Sequence, residues 1–329
     1  MFRHRRLDGV WTQVDVSLMP WVVAGNAFQP VPILYTLDST PRLLRGLGRH
    51  YEVAVTRSPM KRAVKDAVMR AFYRHVTLFN PWSEWAARSL RADYGVPESR
   101  IEVRPPGVDI GRWRPAESRR KSGPIRLLFV GGDFERKGGD LLLDVYRNTL
   151  AGKVEIDLVT KAGLGDHGPH VRVHTGLSAN DRRLVELYQQ ADIFVLPSRA
   201  DCFSMAGMEA MASGLPVIIC PVGGIAGMFE YGREGLYIEP DNGADLARAI
   251  HTLVDDPVRR RAMGANARAL AEKRYDASAN TKSLLERFLG LSGRLAVLDQ
   301  GEGGSSVANR VAHPAPVLEV EGDAASPVA

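Results

Sequence analysis

From Ile125 onward, short apolar runs alternate with amphipathic or alanine-rich segments, and this alternation limits the possible folds more than any other feature of the chain. "IRLLFVG" (125–131) reads as a buried strand, "GGDLLLDVYRNTL" (138–150) as a helix and "VEIDLVT" (154–160) as the next strand. The series continues with a strand at "VRVHT", a helix in "ANDRRLVELYQQ", a strand at "DIFVLPS" and a helix through Glu209. Strands at "PVIIC" and "GLYIEP" and a helix in "GADLARAIHTLVDD" complete it. Neighbouring parallel strands need a crossover connection, usually a helix, so the pattern predicts βαβ units in a doubly wound α/β sheet.

Ahead of this region the signal is sparser. "PVPILYTLD" (30–38) predicts one strand, and an amphipathic helix begins at Ser58, a natural N-cap followed by Pro59 in the first turn. Met60, Ala63, Val64, Ala67, Val68, Ala71 and Phe72 make its apolar stripe, with Lys61, Arg62, Lys65, Arg70 and Arg74 opposite. Such a helix suits either a domain surface or a membrane surface. "AESRRKSGP" reads as a linker. The expected organisation is therefore an N-terminal domain over 1–115, a linker over 116–124, a second domain over 125–276 and a helix over 277–292. The tail over 293–329, rich in Gly, Ser, Ala and Pro, is expected not to pack.

A chain of 329 residues, 45% of them hydrophobic, has enough apolar material for two cores. It contains no apolar run of transmembrane length and no signal-type core behind its basic start, which predicts a cytoplasmic protein. Its two cysteines, Cys202 and Cys220, have neither metal-ligand nor redox spacing. Charge is unevenly divided: residues 1–120 hold 20 Lys and Arg against 11 Asp and Glu, and the remainder 23 against 27. A basic N-terminal part suits an anionic partner such as a phosphorylated acceptor or the inner face of a membrane, and a solvated basic face would look the same. No nucleic-acid-binding module is recognisable, so nucleic acid is not an expected partner.

Two stretches carry candidate chemistry. "FVGGDFERKGGDLLL" places a glycine-rich turn between a strand and a helix, where open α/β sheets bind ligands. It matches neither G-x-G-x-x-G nor the Walker A loop, and what it offers is Gly131, Gly132 and adjacent cations, Arg136 and Lys137, suited to a diphosphate. In "ADCFSMAGMEAMASGLPV" (200–217) a run of helix formers is preceded by Asp201 and interrupted by Glu209. Were the whole stretch helical, the two carboxylates would share one side, about 12 Å apart along the axis. The start of that helix, at "CFSMAG", would be a second anion site, turning free backbone amides toward a phosphate. The chain has no D-x-D pair and no His or Cys cluster of zinc spacing, so neither a metal nor any other cofactor is expected.

The sequence from about Ile125 to Tyr275 resembles the donor-binding domain of GT-B glycosyltransferases of the retaining family four. The likeness lies in G-G-x-F-x-R-K-G-G after a strand, "ADIFVLPS", Asp201 and Glu209 with seven residues between them, "AMASGLPVI", Gly223–Gly224 and "GREGL". "SEWAARSLRADYGVPESRIEVRPPGVDIGRW" is similar to the family's interdomain segment. The resemblance implies two Rossmann-like domains with a cleft between them. It also implies transfer of a sugar from a nucleotide diphosphate sugar to an acceptor hydroxyl on a glycan, glycolipid or small molecule.

In that scheme Glu209 holds the ribose and Asp201 the transferred sugar. The amides around Phe203, Ser204 and Met205, with Arg136 and Lys137, hold the diphosphate. The base meets backbone near "HTGLS", around Leu177. The sequence departs from the family pattern where Asp201 replaces a usual Glu, Gly132 a common Arg and Gly227 a common acid. The cationic role therefore passes to Arg136. Asp38 stands where many relatives carry His, which makes it an acceptor-side candidate, although a turn-capping role fits it equally. The opening strand and loop of such domains have no counterpart in the sequence, so a shortened N-terminal domain is expected. The alternative to an enzyme is a truncated or non-catalytic GT-B protein that binds a nucleotide sugar or a partner without transfer.

Overall fold

The structure, a computed structural model, describes residues 10–13, 32–51, 58–117 and 123–291. The tail from 293 lies outside the described residues, as do residues 118–122 of the expected linker and most of the segment before Ile33.

Two parallel sheets organise the chain. The first has three strands, β1 (Val10–Gln13), β2 (Ile33–Leu37) and β3 (Leu78–Pro81), in the order β1-β2-β3. Between β2 and β3 run α1 (Pro41–Gly46), α2 (Gly48–Tyr51) and α3 (Pro59–His75), and α4 (Glu84–Tyr94) follows β3. Ser58 caps α3 as its sequence predicts, accepting from the Lys61 amide at 3.4 Å. The stripe along α3 is not buried as one face, however. Phe72 and Tyr73 are buried against Tyr35 of β2, whereas Met60, Val64 and Val68 are 75%, 58% and 52% exposed. At 100° per residue Phe72 lies about 120° round the helix from Met60, so both cannot face one sheet.

The second sheet has six strands: β4 (Ile125–Val130), β5 (Val154–Val159), β6 (Val171–His174), β7 (Ile193–Leu196), β8 (Val217–Ile219) and β9 (Gly235–Tyr237). Its order is β6-β5-β4-β7-β8-β9, every pairing parallel. Between the strands lie α5 (Gly139–Val145, continuing into a π turn over Tyr146–Leu150), α6 (Arg182–Gln190) and α7 (Met205–Ala212). After β9 come α8 (Gly243–Asp255) and α9 (Pro257–Arg274). The chain builds outward from β4 to β6, then returns to lay β7 against the other side of β4, with Leu128 opposite Phe194. Ligands of open α/β sheets sit beyond the strand ends at such a reversal. The loops leaving β4 and β7 are the two that carry the candidate chemistry.

The last helix, α10 (Ala277–Leu291), crosses back to the first domain. Leu284 and Phe288 bury against Leu34 of β2 and Leu78 of β3. The two crossing segments are laced together where they pass: Val108 donates its amide to Tyr275 O at 2.8 Å and accepts from the Ala277 amide at 3.1 Å. Asn280 Nδ2 adds bonds to Pro105 O and Arg274 O. The two domains are therefore joined at this crossing by hydrogen-bonded backbone and the Asn280 side chain.

Candidate functional site

The glycine-rich loop after β4 and the loop after β7 lie against each other, and backbone sterics dictate the fit. Gly138 has φ of 76°, and a Cβ there would meet Pro197 O at 2.1 Å. Gly223, with φ of 56°, backs onto Asp201 O in the same way, at 2.0 Å. Any other residue at either place would have to displace main chain as well as adopt an unfavourable conformation.

This close packing brings Lys137 to Asp201. The Lys137 ammonium donates to Asp201 Oδ2, with both side chains largely withdrawn from water. Asp201 is not helical; α7 begins only at Met205, so the carboxylate stands on the loop ahead of the helix. Ser204 caps α7 by accepting from the Gly207 amide at 3.0 Å. The amides of Phe203, Ser204, Met205 and Ala206 donate to no protein acceptor among the described residues. A row of unpaired N–H groups at a helix N-terminus beside a buried lysine has the donors and the charge to hold an anion.

The second cation is held differently. Arg136 Nε donates to Asp133 Oδ2 at 2.8 Å, one terminal nitrogen donates to Ala200 O at 3.0 Å, and the guanidinium stacks 4.4 Å from the ring centre of Tyr51. It thus braces the loop bearing Asp201. Above Gly132, where relatives commonly have Arg, lies the side chain of Lys161 from the end of β5; a Cβ on Gly132 would be 3.6 Å from it. Gly131 packs against the stem of Lys137 and admits no side chain.

Glu209, in the middle of α7, accepts at Oε2 from the hydroxyl of fully buried Tyr188 at 3.0 Å. Burial pushes its pKa up to about 7 despite that bond. Near neutral pH the side chain thus exchanges between carboxylic acid and carboxylate. Leu177 lines a cavity of about 450 Å³ with Val173, His174, Arg183, Glu186 and Gln190, the last three on α6, the helix that also carries Tyr188.

From the first domain, Asp38 reaches the same neighbourhood at the end of β2. Burial raises its pKa and the charge of Asp201 adds to the rise, against a 2.9 Å bond from Ser39 Oγ. Trp82 packs edge-on to Phe203 with ring centres 6.3 Å apart. Tyr51, at the end of α2, accepts from the Cys202 amide at 3.1 Å and points its hydroxyl at Asp201 Oδ1, 3.5 Å away. Tyr51, Trp82, Lys161 and Tyr188 were not singled out from the sequence. Only Tyr188 leaves a local sign, a tyrosine on the core-facing side of a helix, whose buried hydroxyl needs a partner.

Residues 2–112 match the family model described as Glycosyltransferase Family 4, and residues 113–270 the one described as Glycosyl transferases group 1. The chain belongs to glycosyltransferase family 4. A curated relative, the D-inositol 3-phosphate glycosyltransferase of Pseudarthrobacter chlorophenolicus, is 31% identical to this family-4 chain over 199 residues, 54% of the chain and 47% of the relative. The chain spans about half the length of the curated relatives of that name. The glycogen synthase of Mycobacterium tuberculosis is 28% identical over 287 residues, 80% of the chain and 66% of the relative. Among solved structures, Anabaena HepE in complex with UDP and glucose superposes with a TM-score of 0.68 at 18% identity, covering 86% of the chain and 78% of HepE. The family-4 chain therefore has the two-domain GT-B fold that its sequence predicts. Among its described residues no helix is long and apolar enough to cross a membrane, and no three His, Cys, Asp or Glu side chains gather as a metal site requires.

Proposed function

We propose that the chain transfers a sugar, with retention of anomeric configuration, from a nucleotide diphosphate sugar to an acceptor hydroxyl. One observation carries the reading: Lys137, held on Asp201, stands beside the unpaired amides of 203–206 at the sheet's reversal point. The diphosphate lies along those amides, and Lys137 leaves Asp201 for the phosphate oxygens as negative charge builds on the departing group. Removing one such donor typically costs about 2.7–4 kcal/mol of barrier. Lys161 above Gly132 supplies a second positive charge. Positive charge resident in the protein supports turnover without a divalent metal, so activity should persist in EDTA. Glu209 as carboxylate accepts from the ribose hydroxyls, Asp201 turns to the sugar, and backbone near Leu177 meets the base. UDP with glucose in HepE and inositol phosphate in the curated relatives' names suggest the first donor and acceptor to try.

Acceptor binding falls to the basic first domain and Asp38. The exposed apolar row Met60, Val64 and Val68 on α3, flanked by Lys61 and Arg62, supports a peripheral contact with the inner face of an anionic membrane. Sedimentation with phosphatidylglycerol vesicles, and not with phosphatidylcholine, is the expected behaviour.

The test is calorimetry with UDP-glucose, GDP-mannose and ADP-glucose, followed by nucleotide release with inositol phosphate or lipid acceptors and NMR of the anomeric proton. Saturable binding of one donor, with turnover and retention, is expected. Binding without turnover for any acceptor would leave the non-catalytic reading, and no binding would remove both.

A further inference from the structure

We propose that Tyr51 is a positioning residue through which the first domain completes the donor site. The inference rests on the donor-site reading above and concerns a residue outside the motif-bearing loops.

Among the described residues the Tyr51 side chain makes two hydrogen-bonding approaches and one ring contact to the second domain. Its hydroxyl accepts from the Cys202 amide at 3.1 Å, which leaves its single hydrogen free to point at Asp201 Oδ1, 3.5 Å away. Its ring carries the Arg136 guanidinium at 4.4 Å from the centroid. Cys202 directly precedes the unpaired amides, Asp201 is the partner of Lys137, and Arg136 braces Ala200. One side chain thus holds the start of the amide row, supports the plane of the guanidinium and stands ready to orient the carboxylate.

The hydrogen-bond inventory is consistent with this role. An ionised carboxylate offers about four lone-pair sites. Lys137 takes one on Oδ2 and the Tyr51 hydroxyl, once it closes on Oδ1, would take another, leaving Asp201 able to accept from sugar hydroxyls. Burial and the charge of Asp201 push the phenol's pKa well above its ordinary value, so it remains a donor throughout the neutral range. The 3.5 Å separation exceeds the roughly 2.5–3.0 Å of a formed O–H···O bond. Closure on a ligand would shorten it, as catalytic-site bonds commonly tighten when a complex forms. Because Tyr51 belongs to the other domain, the sugar end of the site is assembled only while the cleft is closed.

The experiment is calorimetry on the full chain with UDP, GDP and ADP and with UDP-glucose, GDP-mannose and ADP-glucose, using wild type, Tyr51→Phe, Tyr51→Leu, Asp201→Asn and Tyr51→Phe/Asp201→Asn. The quantity read is the affinity ratio between the sugar conjugate and the bare nucleotide, which a merely structural role would not move. Tyr51→Phe keeps the ring on Arg136, so bare nucleotide affinity should stay within about 2-fold while the ratio falls about 10-fold, the low end for a bond to a charged group. In the Asp201→Asn background Tyr51→Phe should lower the ratio no further. Tyr51→Leu should weaken bare nucleotide as well, because Arg136 loses its platform. An unchanged ratio in Tyr51→Phe, a ratio that rises because the hydroxyl had competed with the sugar, or additive losses in the double variant would each overturn the proposal. Failure of wild type to bind any of the six ligands would overturn the donor-site reading itself, and this proposal with it.

Discussion

The two domains stand on parallel sheets, yet they complete their cores in opposite ways. In the second domain most strands are followed within a few residues by a helix that covers the sheet, and one continuous core holds nearly all its buried apolar residues, joined by Val108 and Trp113 from ahead of the linker. In the first, β2 and β3 are covered on one side by local aromatics, Tyr35, Phe72, Tyr73 and Phe79, meeting edge-on at 5.1–6.1 Å. Their other side is closed by Leu284 and Phe288 from the far end of the chain. The second domain is a local product of its sequence, whereas the first waits for a helix some 200 residues downstream. Such long-range closure is slow to form and costs loop entropy that local contacts avoid.

The largest expected effect lies in the second domain. Gly223→Ala would place a Cβ 2.0 Å from Asp201 O at φ of 56°, and strain plus overpacking should cost about 3 kcal/mol or more. Denaturant unfolding measures it, and nucleotide binding should be lost with it. A cost below about 1 kcal/mol would mean that the two loops are not locked as described.

A matched pair of cavities then separates the domains. Phe194→Ala and Phe288→Ala should each cost about 3 kcal/mol, the low end for a buried Phe. Hydrogen exchange should show Phe288→Ala releasing the amides of β2 and β3 while β4 and β7 stay protected, with Phe194→Ala giving the reverse. Equal loss of protection in both sheets would show a single cooperative unit and end the contrast.

The pH dependence of Glu209 is a smaller effect. Its folded pKa, pushed up to about 7, lies above that of an exposed glutamate, so its contribution to stability is full below about pH 4 and is lost as pH rises through 7. Binding runs the other way, because the carboxylate is the better acceptor for ribose. Nucleoside affinity should therefore rise from pH 6 to pH 8, and Glu209→Gln should abolish the rise. A slope that survives in the Gln variant would assign it to another group.

The smallest effect belongs to the first domain's surface. Val64→Asp on exposed α3 should change stability by no more than about 0.5 kcal/mol while reducing sedimentation with anionic vesicles. Undiminished vesicle binding would remove α3 from the membrane contact.

What the sequence disclosed follows the same division. The second sheet was legible strand by strand because apolar period and turn residues are local signals, and Lys137 and Asp201 were legible because their loops leave neighbouring strands. The α7 boundary was not. A run of helix formers extends toward Asp201, but Ser204 takes the cap and the helix starts at Met205. Lys161 was hidden because it follows β5, outside both of the stretches that carry the recognisable motifs. Tyr51 was hidden for a deeper reason. "GRHYEV" has no pattern that points to Asp201, and only the closing of one domain on the other puts a phenol 150 positions away beside it.

The central claim is that a diphosphate is gripped between Lys137 and the amide row of 203–206. Titration calorimetry of wild type and Lys137→Ala, each with a nucleoside diphosphate and with the matching nucleoside, tests it most directly. The account predicts that Lys137→Ala weakens the diphosphate by about 10- to 100-fold and leaves the nucleoside within about 2-fold. Equal weakening of both ligands would contradict it.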